Sequence, residues 1–479
     1  MKIGIVVIGY NNNKSIKRLL NRLNETEYGG NNCALVISID KSNDNKVTEI
    51  ANEYEWKHGE KIIVAQEERL GLRNHVLKCG SYMERFGWDA EIVFEDDTYP
   101  AMDFFLYSKQ VVEKYGQDDK IAGAGLYKFS DNRSAKYPKS FIPIEKGADV
   151  FFLQFACSWG QIWFKKSWEK FIDWYDSYDG DIKKITIIPE AVRAWDDRSW
   201  LKYHIAYCIM NNKYFVYPYI ARSTCFSEEG EHTAYTSDEL QIPIAYKYNR
   251  ELILPSLDDE MAVHYDGFFE YQDFGDVNRI DIDDIEIDLN GTKRFSEKRY
   301  LLTPLKTRYH VVCSWANHLI PSEMNIISNL AGEGIFLYDL GIDKKTSLPA
   351  EKSKADKYLE YFDILDAWMN LRKMGISVSS YFERKGIKTV AIYGMGRIAK
   401  HLIDDLHDSS VLVAYGIESK KCEQRYGIDV HSIYDELEPV DVVVVTPMFD
   451  FENISELLKS KKIYAIESIR DIVLEASMG

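Results

Sequence analysis

Short apolar runs alternate with segments of helical periodicity over the first hundred residues of the chain. Four apolar runs predict β-strands, at residues 3–9, 35–40, 61–65 and 92–94, the last of them a short buried strand. Three intervening segments predict helices, on a face of Ile16, Leu19, Leu20 and Leu23, on a face of Val47, Ile50, Ala51 and Tyr54, and between Leu72 and Phe86. Alternating strands and helices predict an α/β fold with a mostly parallel sheet covered on both faces.

Polar side chains follow three of these strands directly. Asn11 follows the first strand, Asp40 ends the second, and Glu95, Asp96 and Asp97 follow the fourth. Ligands bind beyond the carboxyl ends of strands in such sheets. Three adjacent carboxylates repel one another, which a cation or a metal-bound phosphate would relieve. The alternative is an acidic turn that is simply solvated. Because Asn11 and Asp40 also lie at strand ends, the functional interpretation is favoured.

A second acidic cluster stands at residues 194–200, Ala-Trp-Asp-Asp-Arg-Ser-Trp. Asp196 or Asp197 could cap a helix, or one of them could be a catalytic carboxylate, and the two roles are compatible. The inward face of that helix is predicted to hold Trp200, His204, Tyr207 and Cys208. Between the two clusters, residues 155–161 predict a strand that runs into a glycine-containing loop. Trp159 of that loop can stack on a sugar ring, although a core position is commoner for tryptophan.

Several stretches within residues 1–235 match one family in order and approximate spacing. They are Val36-Ile37-Ser38-Ile39-Asp40, Leu72-Arg73-Asn74, Ile92-Val93-Phe94-Glu95-Asp96-Asp97 with Pro100 and Asp103-Phe104-Phe105 behind it, and Trp195-Asp196-Asp197 followed by Tyr219-Ile220-Ala221-Arg222-Ser223-Thr224. With them the chain resembles the GT-A glycosyltransferases. In detail it is similar to N-acetylglucosaminyltransferase I (family 13), and more loosely to the bacterial family 2 enzymes. The resemblance implies a nucleotide-sugar-binding Rossmann-like half fused to an acceptor half.

The resemblance also implies a division of labour at the donor site. Asp97 would ligate Mn(II) or Mg(II), which bridges the diphosphate of the donor. Glu95 and Asp96 would contact the donor sugar, the ribose or metal-bound water. Asp40 would hydrogen-bond the nucleobase, with uracil as the expected base.

On the acceptor side, the resemblance makes Asp196 the general base and Asp197 the alternate, with Trp195 near the donor sugar. One departure concerns the nucleotide. The basic residue that such enzymes often place after the first strand is absent, since a tyrosine and Asn11 stand there. Arg73 is the candidate that would compensate for it.

The chemistry of glycosyl transfer requires the same two kinds of acid. A divalent ion on a carboxylate neutralises the leaving diphosphate, and hard oxygen ligands suit Mg(II) or Mn(II) better than zinc. An inverting displacement also needs a carboxylate that takes the proton of the acceptor hydroxyl. An inverting hydrolase uses two carboxylates as well, but it has no use for a metal-type triplet at a strand end.

Residues 236–343 predict a β-containing extension packed on the transferase, whose position allows acceptor binding. Within it, residues 280–289 alternate apolar and polar side chains, which predicts a strand with one exposed face. Short strands are also predicted at 309–313 and 335–338. The acids at 281–284 lack the glycine and terminal glutamate of an EF-hand loop, so a calcium site is not favoured there.

Residues 344–387 predict a linker and a helix, and residues 388–479 a small Rossmann-like domain. A strand enters Gly-x-Gly-x-x-Ala at Gly394 and Gly396, and a second strand ends at Glu418, where the fingerprint places an acid. These three residues are the candidate cofactor-binding set. The domain resembles modules appended to bacterial surface-polysaccharide transferases. About 90 residues are too few for a complete dehydrogenase, so a scaffold or oligomerisation role is favoured over a bound NAD-type dinucleotide.

Composition narrows the classes of function. The 479 residues carry a net charge of −17, which argues against a nucleic-acid partner and leaves at most peripheral contact with an anionic membrane. Seven scattered cysteines without a C-x-x-C pair predict reduced thiols in a cytoplasmic protein. No run approaches 18 apolar residues, so no spanning helix is expected.

The leading hypothesis is a cytoplasmic bacterial glycosyltransferase, acting at the inner face of the membrane in surface-glycan assembly. It would move a sugar, with N-acetylglucosamine suggested by the resemblance, from a UDP-sugar to a saccharide or lipid-linked saccharide. The C-terminal domain would support a homo-oligomer. The alternatives are an NAD-dependent oxidoreductase that uses the C-terminal domain and a non-catalytic nucleotide-sugar sensor.

Overall fold

The computed structural model describes residues 1–135, 139–226, 238–246, 250–307, 309–341, 346–347, 354–419 and 422–476. The chain divides into two compact units, Met1–Glu351 and Lys352–Gly479. Most of the predicted linker at 344–354 lies outside the described residues. Among the described residues no helix is long and apolar enough to cross a membrane.

The first unit contains nineteen strands and nine α-helices in its described part. Its strands are β1 Ile3–Gly9, β2 Leu35–Ile39, β3 Lys61–Ala65, β4 Ala90–Glu95, β5 Thr98–Pro100, β6 Ile121–Gly125, β7 Asp131–Asn132, β8 Lys139–Ser140, β9 Val150–Leu153, β10 Gln161–Phe164, β11 Tyr214–Pro218, β12 Ser223–Cys225, β13 His264–Tyr265, β14 Ile285–Ile287, β15 Phe295–Ser296, β16 Tyr300–Thr303, β17 His310–Trp315, β18 Ile335–Asp339 and β19 Thr346–Ser347. Its helices are α1 Asn13–Glu25, α2 Lys46–Glu53, α3 Gly71–Cys79, α4 Tyr82–Phe86, α5 Phe104–Tyr115, α6 Lys165–Ser177, α7 Glu190–Arg193, α8 Leu201–Met210 and α9 Glu323–Ile327, with 3₁₀ turns at Ile182–Lys184 and Ile282–Asp284.

A nine-stranded sheet in the order β13-β9-β11-β6-β10-β4-β1-β2-β3 is the centre of this unit. Strands β4, β1, β2 and β3 are parallel neighbours. The apolar runs of β1, β2 and β4 are buried because helices cover both faces, whereas the edge strand β3 is only half-buried. The predicted α/β class and the four predicted strands are therefore confirmed. Helix α1 is confirmed too, since its predicted face is fully buried and the side chain of Asn12 accepts a hydrogen bond from the Ser15 amide (3.1 Å) at its start.

Two sequence-based predictions for the region around this sheet are wrong. The single helix predicted between Leu72 and Phe86 is two helices, α3 and α4, which separate at Gly80. A Cβ atom on Gly80 would lie 2.1 Å from the ring of Trp168, so glycine is needed where α6 crosses this break. The strand predicted to begin at residue 155 is absent, because β9 ends at Leu153 and residues 154–160 form the loop before β10. Beyond β4, residues 98–100 form β5, which pairs with β12.

The extension contains a four-stranded sheet in the order β14-β16-β18-β17. Strands at the predicted positions 309–313 and 335–338 are confirmed as β17 and β18. The strand predicted over 280–289 is shorter, because the Asp281 carboxylate accepts the Asp283 amide (2.9 Å) and folds 282–284 into a 3₁₀ turn.

The second unit is a smaller α/β unit with the six-stranded order β22-β23-β21-β20-β24-β25. Its elements are α10 Lys354–Lys373, α11 Ser379–Arg384, β20 Thr389–Tyr393, α12 Arg397–Leu406, β21 Leu412–Glu418, β22 Cys422–Arg425, β23 Ile428–Ser432, β24 Val442–Val445, a 3₁₀ turn Met448–Asp450, α13 Phe451–Ser460, β25 Ile466–Ser468 and α14 Ile469–Ala476. Helix α10 confirms the predicted helix, but it buries Ile364, Trp368 and Leu371 and leaves Phe362 exposed.

Five charged side chains between residues 266 and 293 of the extension lie together and are largely buried. Lys293 donates to Asp266 (2.9 Å) and to Glu286 (2.8 Å). Glu270 and Asp288 lie beside this pair and are each 1% exposed. Burial, and after it the charge of Asp288, raises the pKa of Glu270. Burial also raises the pKa of Asp288. These carboxylates therefore bind protons more tightly in the folded chain than in the unfolded chain.

The stability of the first unit should consequently fall as the pH rises. Carboxyl groups whose pKa is raised by folding contribute stability that is present at low pH and lost as the pH passes the folded-state pKa. Asp288→Asn keeps an oxygen for the amides of Thr292 and Lys293 and removes the charge. We expect the wild-type melting temperature to decline between pH 5 and pH 8, and the variant to decline less, as measured by circular dichroism. Equal slopes for wild type, Asp288→Asn and the exposed-site control Asp281→Asn would contradict this assignment.

Candidate active site

The acidic turn (Glu95, Asp96 and Asp97) lies at the carboxyl end of the central strand β4. Glu95 is paired in register with Ile8 of β1, so the turn begins at the same edge of the sheet as the end of β1. Pairing of β5 with β12 then places Cys225 Sγ 3.2 Å from Asp97 Oδ2. The backbone of the turn is therefore fixed by two strands, and folding brings its carboxylates close to one another.

The electrostatics of the turn suit a divalent cation. Burial, followed by the charges of Asp97 and Asp96, raises the pKa of Glu95 to about 8. No group of three or more His, Cys, Asp or Glu side chains that could hold a metal occurs within the residues that the structure describes. Carboxylate oxygens are the ligands that Mg(II) prefers, and Mg(II) commonly leaves its remaining positions to phosphate and water. The carboxylates of the turn therefore fit the predicted Mn(II) or Mg(II), and Asp97 as its ligand stays a prediction.

Asp40 ends β2, two strands away from the turn and so about 10 Å across the sheet. Its carboxylate is 4% exposed and accepts the amides of Leu70 (2.8 Å) and Gly71 (2.9 Å). Gly71 has a φ of +74°, which glycine adopts without strain. Asp40 therefore anchors the 69–71 segment above the sheet, and its contact with a nucleobase stays a prediction.

The anchored segment carries an arginine that the sequence pattern did not single out. The guanidinium of Arg69 lies 4.8 Å from the centre of the Tyr10 ring, at the end of β1. The predicted nucleotide contact Asn11 is the next residue and is exposed. Arg69 thus occupies the side of the sheet where the expected basic residue is absent. The only feature of the sequence that could have singled out Arg69 is its position one helical turn before Arg73.

Arg73, predicted to fill that role, is directed to the second acidic cluster. Its Nε donates to the Tyr175 hydroxyl (2.7 Å) and its Nη1 to the backbone oxygen of Asp197 (2.7 Å). The guanidinium also lies 4.3 Å from the centre of the Tyr203 ring. The structure therefore brings α3 and the Asp197 loop together through Arg73.

Two lysines hold the carboxylate of Asp197. Lys202, which is 1% exposed, donates to Asp197 Oδ1 (2.9 Å) and to the Trp195 backbone oxygen (3.1 Å). Lys183 donates to Asp197 Oδ2 (3.0 Å). The hydrogen bonds from both lysines lower the pKa of Asp197. A charge-paired carboxylate of this kind fixes the loop rather than accepting protons.

Asp196 is presented outward on the same loop. Its Oδ1 accepts the Arg198 amide (2.7 Å) and Arg198 Nε (3.0 Å), and its Oδ2 accepts Nη2 (3.1 Å). These bonds to Arg198 lower the pKa of Asp196 to about 2. Neither aspartate caps α8 as predicted: the residue before that helix is Trp200, and the amide of Lys202 in the first turn donates to the Ser199 hydroxyl (3.4 Å). The predicted inward face of α8 is confirmed as buried.

The two candidate tryptophans are both half-buried. The Trp159 backbone oxygen accepts the Ser223 hydroxyl (2.6 Å), and Ser223 begins β12, the strand whose other end carries Cys225 beside Asp97. The ring of Trp159 lies 4.8 Å from that of Tyr127. Trp195 meets the Phe155 ring edge-on at 6.5 Å. Trp159 is therefore connected to the acidic turn, whereas Trp195 belongs to the Asp197 loop.

In the second unit, the side chain of Glu418 is directed toward the glycine loop. It accepts the Met395 amide (2.8 Å), and Arg425 lies 3.5 Å from the same carboxylate oxygen. Gly394 has a φ of +86°, and Gly396 precedes α12. The loop amide that could meet a phosphate is thus already hydrogen-bonded to Glu418, and a bound dinucleotide would have to replace that bond.

No protein-family model matches the chain, and no curated protein sequence matches it. Solved structures that resemble it include residues 1–349 of S. aureus TarS (TM-score 0.32, 14% identity, 47% of this chain and 60% of that chain). The same protein in complex with UDP-GlcNAc has a TM-score of 0.33 and 17% identity, over 50% of this chain and 63% of that chain. A mannosyltransferase from Pyrobaculum calidifontis, in complex with GDP-Man and Mn²⁺, has a TM-score of 0.26 and 14% identity, over 40% of this chain and 50% of that chain. The chain matches less than two thirds of the length of each neighbour, and function must be inferred from the side chains themselves.

The lysine pair on Asp197 can be tested directly. Lys202→Met removes the buried cation that joins Asp197 to Trp195, so we expect the 194–199 loop to loosen and trypsin to cleave after Arg198 several times faster. Methionine fills the space of the lysine stem, so the melting temperature should change little. Lys170→Met, which removes an exposed lysine paired with Asp119, is the control. Equal cleavage rates in wild type and Lys202→Met would show that the lysine does not hold the loop.

Proposed function

We propose that the first unit is a metal-dependent inverting glycosyltransferase that moves a sugar from a UDP-sugar to a saccharide acceptor. The observation that carries the proposal is the acidic turn at the end of β4, with the Asp40-anchored segment on one side and the Asp196 loop as the second acidic cluster. N-acetylglucosamine is the first donor sugar to test. The proposed setting is bacterial surface-glycan assembly at the cytoplasmic face of the membrane.

The donor would lie along the carboxyl ends of β4, β1 and β2. Asp97 would hold the metal ion, and Glu95 and Asp96 would contact the sugar or ribose. When bound, the ion would neutralise the charge that develops on the departing diphosphate. Arg69 would add a positive charge on the nucleotide side, beside Tyr10 at the end of β1.

Asp196 is the proposed general base, because Asp197 is held by two lysines. Its carboxylate would receive the proton of the acceptor hydroxyl, and Arg198 is the group that controls when it can do so. With Arg198 in place the pKa of Asp196 is about 2, which makes a poor base near neutral pH. Proton transfer therefore requires the bonds from Arg198 to open, and acceptor binding is the proposed trigger.

A non-catalytic nucleotide-sugar sensor is the second candidate, favoured by the same ion pairs. Both aspartates of the loop have a lowered pKa, and a sensor needs no base. The two candidates differ only in whether the bound donor is turned over.

Asp97→Ala is the decisive substitution at the acidic turn. We expect wild type to hydrolyse or transfer at least one UDP-sugar in a donor screen with Mn(II), and to lose that activity when the metal is chelated. The variant should lose at least about 100-fold in turnover, because charge stabilisation of this kind is typically worth that much. Asp258→Ala, at an exposed aspartate, is the control. Full metal-dependent turnover by Asp97→Ala would refute the metal assignment.

Asp196→Asn separates the enzyme from the sensor. If Asp196 is the base, turnover should fall by about 10² to 10⁴ while UDP binding, measured by calorimetry, stays as in wild type. Asparagine keeps the size of the side chain and removes its basicity. Turnover indistinguishable from wild type would exclude Asp196 as the base, and absence of turnover from wild type with UDP-sugar binding retained would favour the sensor.

A further inference from the structure

A pocket of about 600 Å³ lies between the segment after β13 and the 315–329 segment of the extension. Both walls belong to the first unit, and we call it the 271–329 pocket. Its volume is within the range of small-molecule sites. The side chains that matter here are Tyr271, Phe274, Asp276, Asn278, Ile327 and Asn329.

The inner surface of the pocket is apolar and aromatic. Tyr271 is 2% exposed, and the ring of Phe274 meets it edge-on at 4.9 Å. Trp315 is buried behind them, and Ile327 is 47% exposed at the mouth. Aromatic and aliphatic surfaces of this kind suit the C–H faces of a sugar ring.

The rim supplies hydrogen-bonding groups of both kinds. Asn329 accepts the indole N–H of Trp315 through its oxygen (3.1 Å), which directs its amide hydrogens as donors. Asn278 and Asp276 are exposed on the opposite wall and supply a second amide and a carboxylate. A ligand with several hydroxyl groups can use donors and acceptors placed in this way.

The charge of the lining excludes an anionic ligand. Glu145, Asp273 and Asp276 line the pocket with one cation, Lys146. The two oxygens of Asp273 are bound to the ring and to the amide of His264, at 2.8 Å each. The remaining acids keep the pocket negative, so a phosphate or a uronic acid would be repelled.

Left-handed backbone is concentrated at the rim. Asn278 and Asn329, which line the pocket, have φ values of +53° and +47°. Non-glycine residues adopt this region at a cost, and such residues cluster at ligand clamps. The cost is explained if these residues present their side chains to a ligand.

We propose that the 271–329 pocket binds a neutral saccharide, as a subsite for a part of the acceptor remote from the transfer site. The pocket lies at the β13 edge of the sheet, five strands from β4, and so roughly 24 Å across the sheet from the acidic turn. Binding at this distance would favour longer acceptors over short ones. The role as an acceptor subsite rests on the proposed function, whereas saccharide binding itself does not.

The test uses the full chain, without donor or metal, and ligand-observed saturation-transfer NMR. The probes are cellobiose, maltose and N,N′-diacetylchitobiose, with 3′-sialyllactose as the anionic comparison. Ile327→Arg places a long side chain across the mouth, and Ile253→Arg, at a side chain of nearly equal exposure (46%), is the control. We expect saturable binding of at least one neutral probe, weakened at least tenfold in Ile327→Arg and unchanged in Ile253→Arg.

Two results would overturn the subsite: no binding of any neutral probe to wild type, or equal binding by Ile327→Arg. Stronger binding of the anionic probe than of every neutral probe would overturn the assigned ligand class. Donor hydrolysis with Mn(II) is measured in parallel, because Ile327→Arg should leave it unchanged. Hydrolysis without saccharide binding refutes the subsite alone, and saccharide binding without hydrolysis of any UDP-sugar refutes the acceptor role and leaves a saccharide site.

Discussion

Repulsion among three adjacent carboxylates is the constraint around which the first unit is arranged. The sheet fixes β4 between β1 and β10, with Glu95 opposite Ile8 of β1, and the pairing of β5 with β12 fixes the chain directly after Asp97. Burial, and after it the charges of Asp97 and Asp96, raises the pKa of Glu95 to about 8. A rigid, negatively charged turn of this kind is prepared for a cation, because the folding of the sheet has already brought its ligands together.

The other acids of the site differ in how their charge is used. Asp40 gives its oxygens to backbone amides and Asp197 gives its oxygens to lysines, so both act mainly as anchors. Asp196 is bound by a single exposed arginine, and an exposed pair of this kind is weak. The proposed function therefore places its chemistry on the acidic turn and on Asp196.

The sequence predicted what depends on local pattern and missed what depends on tertiary contact. Buried apolar runs and a single helical face were enough for β1 to β4 and for α1, and acids at strand ends marked the turn and Asp40. The break at Gly80 depends on Trp168, far along the chain, and no periodicity records that contact. The roles of Lys202 and Arg69 likewise follow from neighbours that only the folded chain provides, as does the bond from Arg73 to the backbone oxygen of Asp197.

The central claim is that the acidic turn binds a divalent cation together with a nucleoside diphosphate. Titration of Mn(II) followed by electron paramagnetic resonance, with and without UDP, tests it most directly. One Mn(II) per chain should bind much more tightly in the presence of UDP, because the chain alone offers few ligands and the diphosphate completes the set. Mn(II) binding that is unaffected by UDP, or that is the same in a chain without the Asp97 carboxylate, would contradict the account.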